Sequence, residues 1–135
     1  MLAILQYRRY FFAMILTSLL ATADKDHFVP VAEITFDTKV ISFDTIMAGE
    51  KVIKGFSFTN TGNATLRINT VQASDGGTIG YWPEYDIEPG KKDTIRIEFG
   101  FTHSRHGFQD KTFTVISHAT NDAVVLHLKG YIKNN

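Results

Sequence analysis

The densest group of chemically useful side chains in this sequence lies between residues 81 and 86. Tyr81, Trp82 and Tyr85 place three aromatic rings within five residues, Asp86 follows them, and Trp82 is the only tryptophan of the chain. Such rings stack on sugars or anchor a protein partner, because they bury a large area at a small cost in entropy. We predict a ligand or partner contact at Tyr81, Trp82, Tyr85 and Asp86. The competing interpretation, in which Trp82 plugs one end of the core, is the more common use of such a residue.

Two groups of side chains have the donor atoms of a metal site but not its spacing. His103 and His106, with Asp110 nearby, offer nitrogen and oxygen ligands. A loop does not place residues three apart on a common face, so we interpret them as polar loop residues. An acidic neighbourhood is formed by Asp75, Glu84, Asp86 and Glu88. It lacks the alternating spacing of a calcium loop. We therefore predict neither a metal nor another cofactor.

Catalytic motifs are missing as well. The sequence has no cysteine, no Gly-x-Ser-x-Gly elbow and no His-Glu-x-x-His pattern. Ser74 and Asp75 with one of the five histidines would be a nucleophile, a carboxylate and a base, but nothing in their spacing favours that assembly over coincidence. We predict that the protein is not an enzyme.

The N-terminus has the three-part layout of a secretory signal peptide. Arg8 and Arg9 precede an apolar run from Tyr10 to Leu20, and Ala21-Thr22-Ala23 supplies a small-x-small cleavage site. The run is well short of the roughly 20 residues that span a bilayer. We therefore expect residues 1–23 to be a signal peptide and the mature chain, from Asp24, to be periplasmic or extracellular without a membrane span.

The mature chain has the size and charge of one near-neutral domain. It keeps 12 basic side chains against 14 acidic ones, without a block of like charge, so bulk electrostatics predict no nucleic-acid partner. An exported chain without cysteine must be stabilised by burial instead of disulfides. Its phenylalanines are the obvious material for the core.

Hydrophobic residues alternate with polar ones in six or seven short segments. Ile95, Ile97, Phe99 and Phe101 share one face of the clearest segment, and the others show the same period of two around Ile41/Phe43, Phe56/Phe58, Leu66/Ile68, Phe113/Val115 and Val124/Leu126/Leu128. Turn residues separate these segments, and no helical period is sustained after residue 23. The pattern predicts a single all-β domain, an immunoglobulin-like antiparallel sandwich of about seven strands. We assign residues 39–135 to it and residues 24–38 to a leader that includes a candidate first strand.

The order of short motifs along the chain resembles one bacterial family. The landmarks are Ile41 to Ile46 with Gly49-Glu50, Phe56 to Gly62, Leu66 to Ile68, Ser74 to Thr78, Ile87 to Gly90, Gly107-Phe108 and Leu126 to Gly130. They look like the landmarks of domain of unknown function 1573, over roughly residues 39–132. That resemblance implies a small exported protein, mostly from Bacteroidetes, with an immunoglobulin-like sandwich related to the sperm-protein and PapD-like group, and no assigned activity.

One landmark departs from the family pattern. Members typically read Ser-Cys-Gly-Cys-Thr where this chain reads Ser74-Asp75-Gly76-Gly77-Thr78. Both cysteines are replaced, so no thiol or metal role of that pair carries over. The remaining glycines favour a role in shaping the backbone.

The function predicted from the sequence is that of an exported, non-enzymatic interaction module. We expect an unidentified protein partner or a structural role in the cell envelope. The alternative is a carbohydrate-binding module that uses Tyr81, Trp82 and Tyr85, with a glycan as its partner. The sequence does not identify the ligand or the oligomeric state.

Two Asp-Thr-Ile triplets predict a modification of the exported protein. Asp44-Thr45-Ile46 and Asp93-Thr94-Ile95 look like the short acceptor of Bacteroidetes protein O-glycosylation. We expect the protein exported by its native host to begin at Asp24 and to weigh more than that polypeptide. Intact-mass spectrometry measures both, and a mass without any addition would contradict the glycosylation.

Overall fold

The protein is an all-β sandwich. The computed structural model describes residues 27–74, 79–100 and 105–134, and these residues form eight strands and no helix. The strands are β1 (Ile34–Phe36), β2 (Val40–Met47), β3 (Lys51–Asn60), β4 (Ile68–Ala73), β5 (Ile79–Tyr81), β6 (Lys92–Gly100), β7 (Gly107–Ser117) and β8 (Ala123–Lys133). A first sheet has the order β1-β3-β6-β5, and a second sheet has the order β2-β8-β7-β4. The predicted fold class is confirmed.

Two details of the predicted sandwich differ. The described strands number eight instead of about seven, because β1 and β5 have only three residues each and are too short to show an alternation. The pairing is also not antiparallel throughout, since β2 runs parallel to β8 from Val40 opposite His127 to Met47 opposite Lys133. Parallel neighbours are not joined by a tight turn, so no turn motif in the sequence predicts that β2 pairs with β8.

The alternation seen in the sequence becomes the inner face of each sheet. In β6, Ile95, Ile97 and Phe99 are buried while Arg96 is exposed. The facing sheet contributes the buried side chains of Phe113, Val115, Leu126, Leu128 and Ile132. The phenylalanines do not all join this core, because Phe28 and Phe108 are 71% and 66% exposed. Phe101 lies outside the described residues.

A buried asparagine fastens the end of β3 to two neighbouring segments. Asn60 is fully buried, and its side-chain amide donates to the carbonyl oxygens of Ala64 at 2.8 Å and Ile87 at 2.9 Å. Its Oδ1 accepts a hydrogen bond from the Gly62 amide at 3.1 Å. A polar group costs little inside a core when its hydrogen bonds are made, and Asn60 makes them.

The chain before residue 39 is tied to the sandwich. The Asn121 side chain exchanges hydrogen bonds with the backbone of Ile34, at 3.1 and 2.7 Å, and Asn63 Oδ1 accepts from the Val31 amide at 2.7 Å. β1 therefore lies inside the segment 24–38 and forms one edge of the first sheet. The predicted signal peptide, residues 1–23, lies outside the described residues.

A bulge in β2 directly follows a phenylalanine that is buried in the core. The β2–β8 register shifts between Ser42 and Thr45, and Asp44 has a φ of 57°. The Asp44 amide donates to Ser42 Oγ at 3.0 Å, which stabilises this local path. Phe43 lies on the same inward face of β2 as Ile41 and packs over Gly130, where a Cβ would collide with the Phe43 ring. Only glycine leaves room for the ring there.

We predict that Gly130→Ala destabilises the protein. The added methyl group collides with the Phe43 ring, and overpacking of a core costs about 1–3 kcal/mol. Denaturant unfolding of both proteins measures the difference. Gly100→Ala is the matched control, because a Cβ at Gly100 meets nothing within 4 Å. Equal effects of the two substitutions would contradict the packing argument.

Candidate functional site

The predicted contact residues follow an edge strand of the first sheet. Tyr81 is the last residue of β5, and β5 pairs only with β6 among the described strands. The chain is fastened again at Ile87, whose backbone exchanges hydrogen bonds of 2.9 and 2.8 Å with Leu66. The residues from Trp82 to Asp86 therefore form a short connection that is held at both ends.

A close approach of backbone to side chain sets the path of β5. Its register against β6 shifts between Ile79 and Tyr81. A Cβ on Gly80 would lie 2.7 Å from Glu98 Cγ and 3.1 Å from the carbonyl oxygen of Arg96. Glycine thus permits the contact that places Tyr81 opposite Arg96, at the rim of the sheet.

Tyr81, Trp82 and Tyr85 surround a concave groove. The groove has a volume of about 330 Å³ and is lined by Gly80, Tyr81, Trp82, Glu84 and Tyr85. The two tyrosines are 46% and 54% exposed. Trp82 is half-buried and packs against the core, and Pro83 beside it is fully buried. The indole thus combines the two interpretations that the sequence left open, a plug of the core and a contact residue, because it covers the core and also lines the groove.

An aspartate holds the ring of Tyr85 at the groove. The Tyr85 hydroxyl donates to Asp93 Oδ2, while Asp93 Oδ1 accepts from the Thr94 amide at 2.7 Å. The hydrogen bond to this carboxylate, with partial desolvation and the carboxylate charge, raises the pKa of Tyr85 to about 12. Tyr85 therefore remains neutral at physiological pH and has a fixed hydrogen-bond partner.

Asp86 does not line the groove with the aromatic rings. Its Oδ1 accepts a hydrogen bond from Arg67 Nε at 2.7 Å, and both side chains are about half exposed. The acidic side chain that does line the groove is Glu84. The sequence grouped Glu84 with the acidic neighbourhood, and its separation of two residues from Trp82 was the signal that could have placed it here.

The histidines and carboxylates of the other candidate metal site have different partners. Asp110 Oδ1 lies 2.9 Å from His127 Nδ1, and Lys129 Nζ lies 3.5 Å from Asp110 Oδ2. The hydrogen bond with His127 keeps the pKa of Asp110 below its usual value. His106 is exposed, and His103 lies outside the described residues. Within residues 27–74, 79–100 and 105–134, no three His, Asp or Glu side chains converge as metal ligands.

Ser74 is at the end of β4, where its amide donates to the Thr112 carbonyl at 3.0 Å. The other four residues of that landmark, Asp75 to Thr78, lie outside the described residues.

His118 is engaged with the backbone. Its Nδ1 accepts from the Arg67 amide at 3.1 Å, and its Nε2 donates to the Thr65 carbonyl oxygen at 2.9 Å.

The two Asp-Thr-Ile triplets have different surroundings. Thr45 is exposed on β2, directly after the bulge at Asp44. Thr94 is half-buried in β6, and its hydroxyl lies 3.2 Å from that of Ser57. Thr45 is therefore the more accessible of the two hydroxyl groups.

One exposed aromatic pair was missed by the sequence reasoning. Phe108 and Tyr131 are opposite each other on β7 and β8, and they are 66% and 48% exposed on the outer face of the second sheet. The signal was present in β8, because Tyr131 falls on the same face of the strand as the polar His127 and Lys129.

No helix in the described part of the chain is long and apolar enough to cross a membrane.

Solved structures with the same fold include a protein of unknown function from Porphyromonas gingivalis W83. That similarity has a TM-score of 0.62 at 12% identity and covers 80% of this chain and 51% of the other. The PapD-like domain 7 of human CEP192 gives a TM-score of 0.58 at 13% identity, with 84% of this chain and 94% of the domain covered. These likenesses establish an immunoglobulin-like, PapD-like sandwich.

The secreted serine protease VesC from Vibrio cholerae shares the fold over part of its length. Its TM-score is 0.59 at 15% identity, and the match covers 73% of this chain but only 23% of VesC. This chain thus spans about a quarter of VesC and about half of the Porphyromonas protein. At such identities the likeness concerns the fold alone.

No curated protein matches the sequence. The sequence profile described as protein of unknown function (DUF1573) matches residues 34–132, which is most of the chain, and the chain therefore belongs to that family.

Proposed function

We propose that this protein is an exported, non-enzymatic immunoglobulin-like module that binds a protein partner through the groove of Tyr81, Trp82 and Tyr85. The observation that carries the proposal is the exposure of Tyr81 and Tyr85 in the lining of a groove at a sheet edge. Aromatic side chains that are fixed in place and open to solvent are typical anchors of protein interfaces. The signal-like residues 1–23 support export.

The fixed geometry of the groove favours binding. Tyr85 is held by Asp93, and the indole of Trp82 rests on the core. Side chains that are already ordered lose little entropy when a partner binds. The groove therefore presents its rings in a form that is ready for contact.

The edge strands of the two sheets favour binding at the groove over binding in which a partner adds a long strand to a sheet. β1 and β5 have three residues each, and the register of the longer edge strands shifts in β2 at Asp44 and in β4 between Ile68 and Thr70. Short or bulged edges are how sheets avoid pairing with other chains. Recognition by side chains at the groove thus fits this sandwich better than chaperone-like strand exchange.

The engagement of His118 supports the non-enzymatic part of the proposal. Both of its ring nitrogens are hydrogen-bonded to backbone atoms. A general base needs a free nitrogen within reach of a nucleophile, so this ring is not placed for that task.

Carbohydrate binding is the second candidate, and the same groove favours it. Exposed tyrosine rings that line a concave surface can stack on the faces of a sugar. The partial burial of Trp82 leaves less of the indole for such stacking. A glycan array with the mature protein tests this candidate directly.

We predict that the double variant Tyr81→Ala/Tyr85→Ala loses its partner. Loss of central aromatic anchors costs about 2 kcal/mol or more, which is roughly a 30-fold weaker complex. Affinity capture from the envelope fraction of the native host, followed by titration of the captured protein, measures the loss.

Tyr131→Ala is the matched control for this experiment. Tyr131 is 48% exposed, much like the two groove tyrosines, but it lies on the outer face of the second sheet. We expect the control to bind like the unmodified protein. If only Tyr131→Ala weakens binding, the interface is on the second sheet, and a glycan hit that depends on Tyr81 supports the carbohydrate alternative.

We further predict that Tyr85 ionises near pH 12 and that Asp93→Asn moves this ionisation toward 10. The neutral amide removes the carboxylate charge that disfavours the phenolate. The contribution of the Tyr85–Asp93 contact to stability is present below pH 10 and is lost as the pH rises through the folded-state pKa near 12. Absorbance titration of tyrosinate, with Tyr85→Phe identifying the signal, measures the shift. An unchanged titration in Asp93→Asn would contradict the contact.

A further inference from the structure

The groove contains one carboxylate that no described cation neutralises. Glu84 is exposed and lines the groove together with the three aromatic rings. Among the described residues, no lysine, arginine or histidine nitrogen lies within ion-pair distance of it. An acidic group beside electron-rich ring faces makes a surface that attracts positive charge.

The two arginines near this edge of the sheet already contact carboxylates. Arg67 is bound to Asp86, and Arg96, opposite Tyr81 on β6, lies 3.6 Å from Glu98, which Lys51 also contacts at 2.8 Å. The Asp93 carboxylate adds a second negative charge beside the groove through its hydrogen bond with Tyr85. The charged group in the groove lining and the one that binds its Tyr85 are thus both acidic.

We propose that the groove binds a cationic side chain of the partner protein, with arginine preferred. This inference rests on the proposed function and adds the chemistry of the partner. A guanidinium group stacks on the face of a tyrosine ring and at the same time donates two parallel hydrogen bonds to a carboxylate. The groove offers both features, because Glu84 lines it together with the aromatic rings. Lysine supplies the charge without the planar stacking surface.

Trp82 makes the experiment direct, because it is the only tryptophan of the chain and lines the groove. The mature protein is titrated with the capped peptide acetyl-Gly-Arg-Gly-amide while its tryptophan fluorescence is recorded. The comparison peptide carries citrulline, which has nearly the shape of arginine but no charge. We expect a saturable change with the arginine peptide, a weaker one with the lysine peptide, and at least about fivefold weaker binding of the citrulline peptide.

Glu84→Gln should weaken binding of the arginine peptide by about three- to tenfold and reduce its dependence on salt. Glu33→Gln is the matched control, because it makes the same change of charge at an exposed position beside β1, on the opposite edge of the sheet. Tyr81→Ala should also weaken binding, which would place the peptide in the groove.

Two results would overturn the inference and leave the proposed function standing. In one, the citrulline peptide binds as tightly as the arginine peptide, so that shape and not charge is recognised. In the other, the arginine peptide gives no saturable signal at concentrations where a millimolar complex would form. The proposed function itself fails only if the native partner is captured equally well by the double tyrosine variant, so the two failures are distinguishable.

Discussion

Burial between the two sheets is the constraint on which the rest of this structure depends. The chain has no cysteine, so a disulfide cannot hold the sheets together. Their contact is made by side chains such as Phe56 and Phe113, which are fully buried. Because that contact is the source of stability, each strand must keep its alternation in register, and a single shifted residue would expose its apolar face. The bulge at Asp44 is consistent with this rule, since Ile46, three residues after the buried Phe43, also packs against the core.

The same constraint explains why the groove is at a sheet edge. After β5 ends, strand alternation no longer determines which large side chains face the core and which face solvent. Trp82 rests on the core, whereas Tyr81 and Tyr85 project into solvent beside it. The core therefore acts as the support that fixes one wall of the groove. A binding surface built on such a support needs little reorganisation when a partner arrives.

Much of the fold could be predicted from the sequence, and less of the site. The period of two in β6 assigned Ile95, Ile97 and Phe99 to the core, because alternation is a local property of a strand. Tyr81, Trp82 and Tyr85 were placed together by their spacing alone. The sequence did not show that Glu84 lines the groove whereas Asp86 pairs with Arg67. Arg67 belongs to a different segment of the chain, and only folding brings it to Asp86.

Periodicity and the order of short motifs, both of which are read along the chain, were enough to predict an all-β sandwich of the DUF1573 family. The folded chain was needed to show that β2 runs parallel to β8, that Asp93 holds Tyr85, and that Glu84 lines the groove with no described cation in ion-pair distance. The physical reason is the same in each case. These contacts join residues that are brought together by the packing of the sheets or by the turn of the chain after an edge strand, and no local pattern encodes which partner will be there.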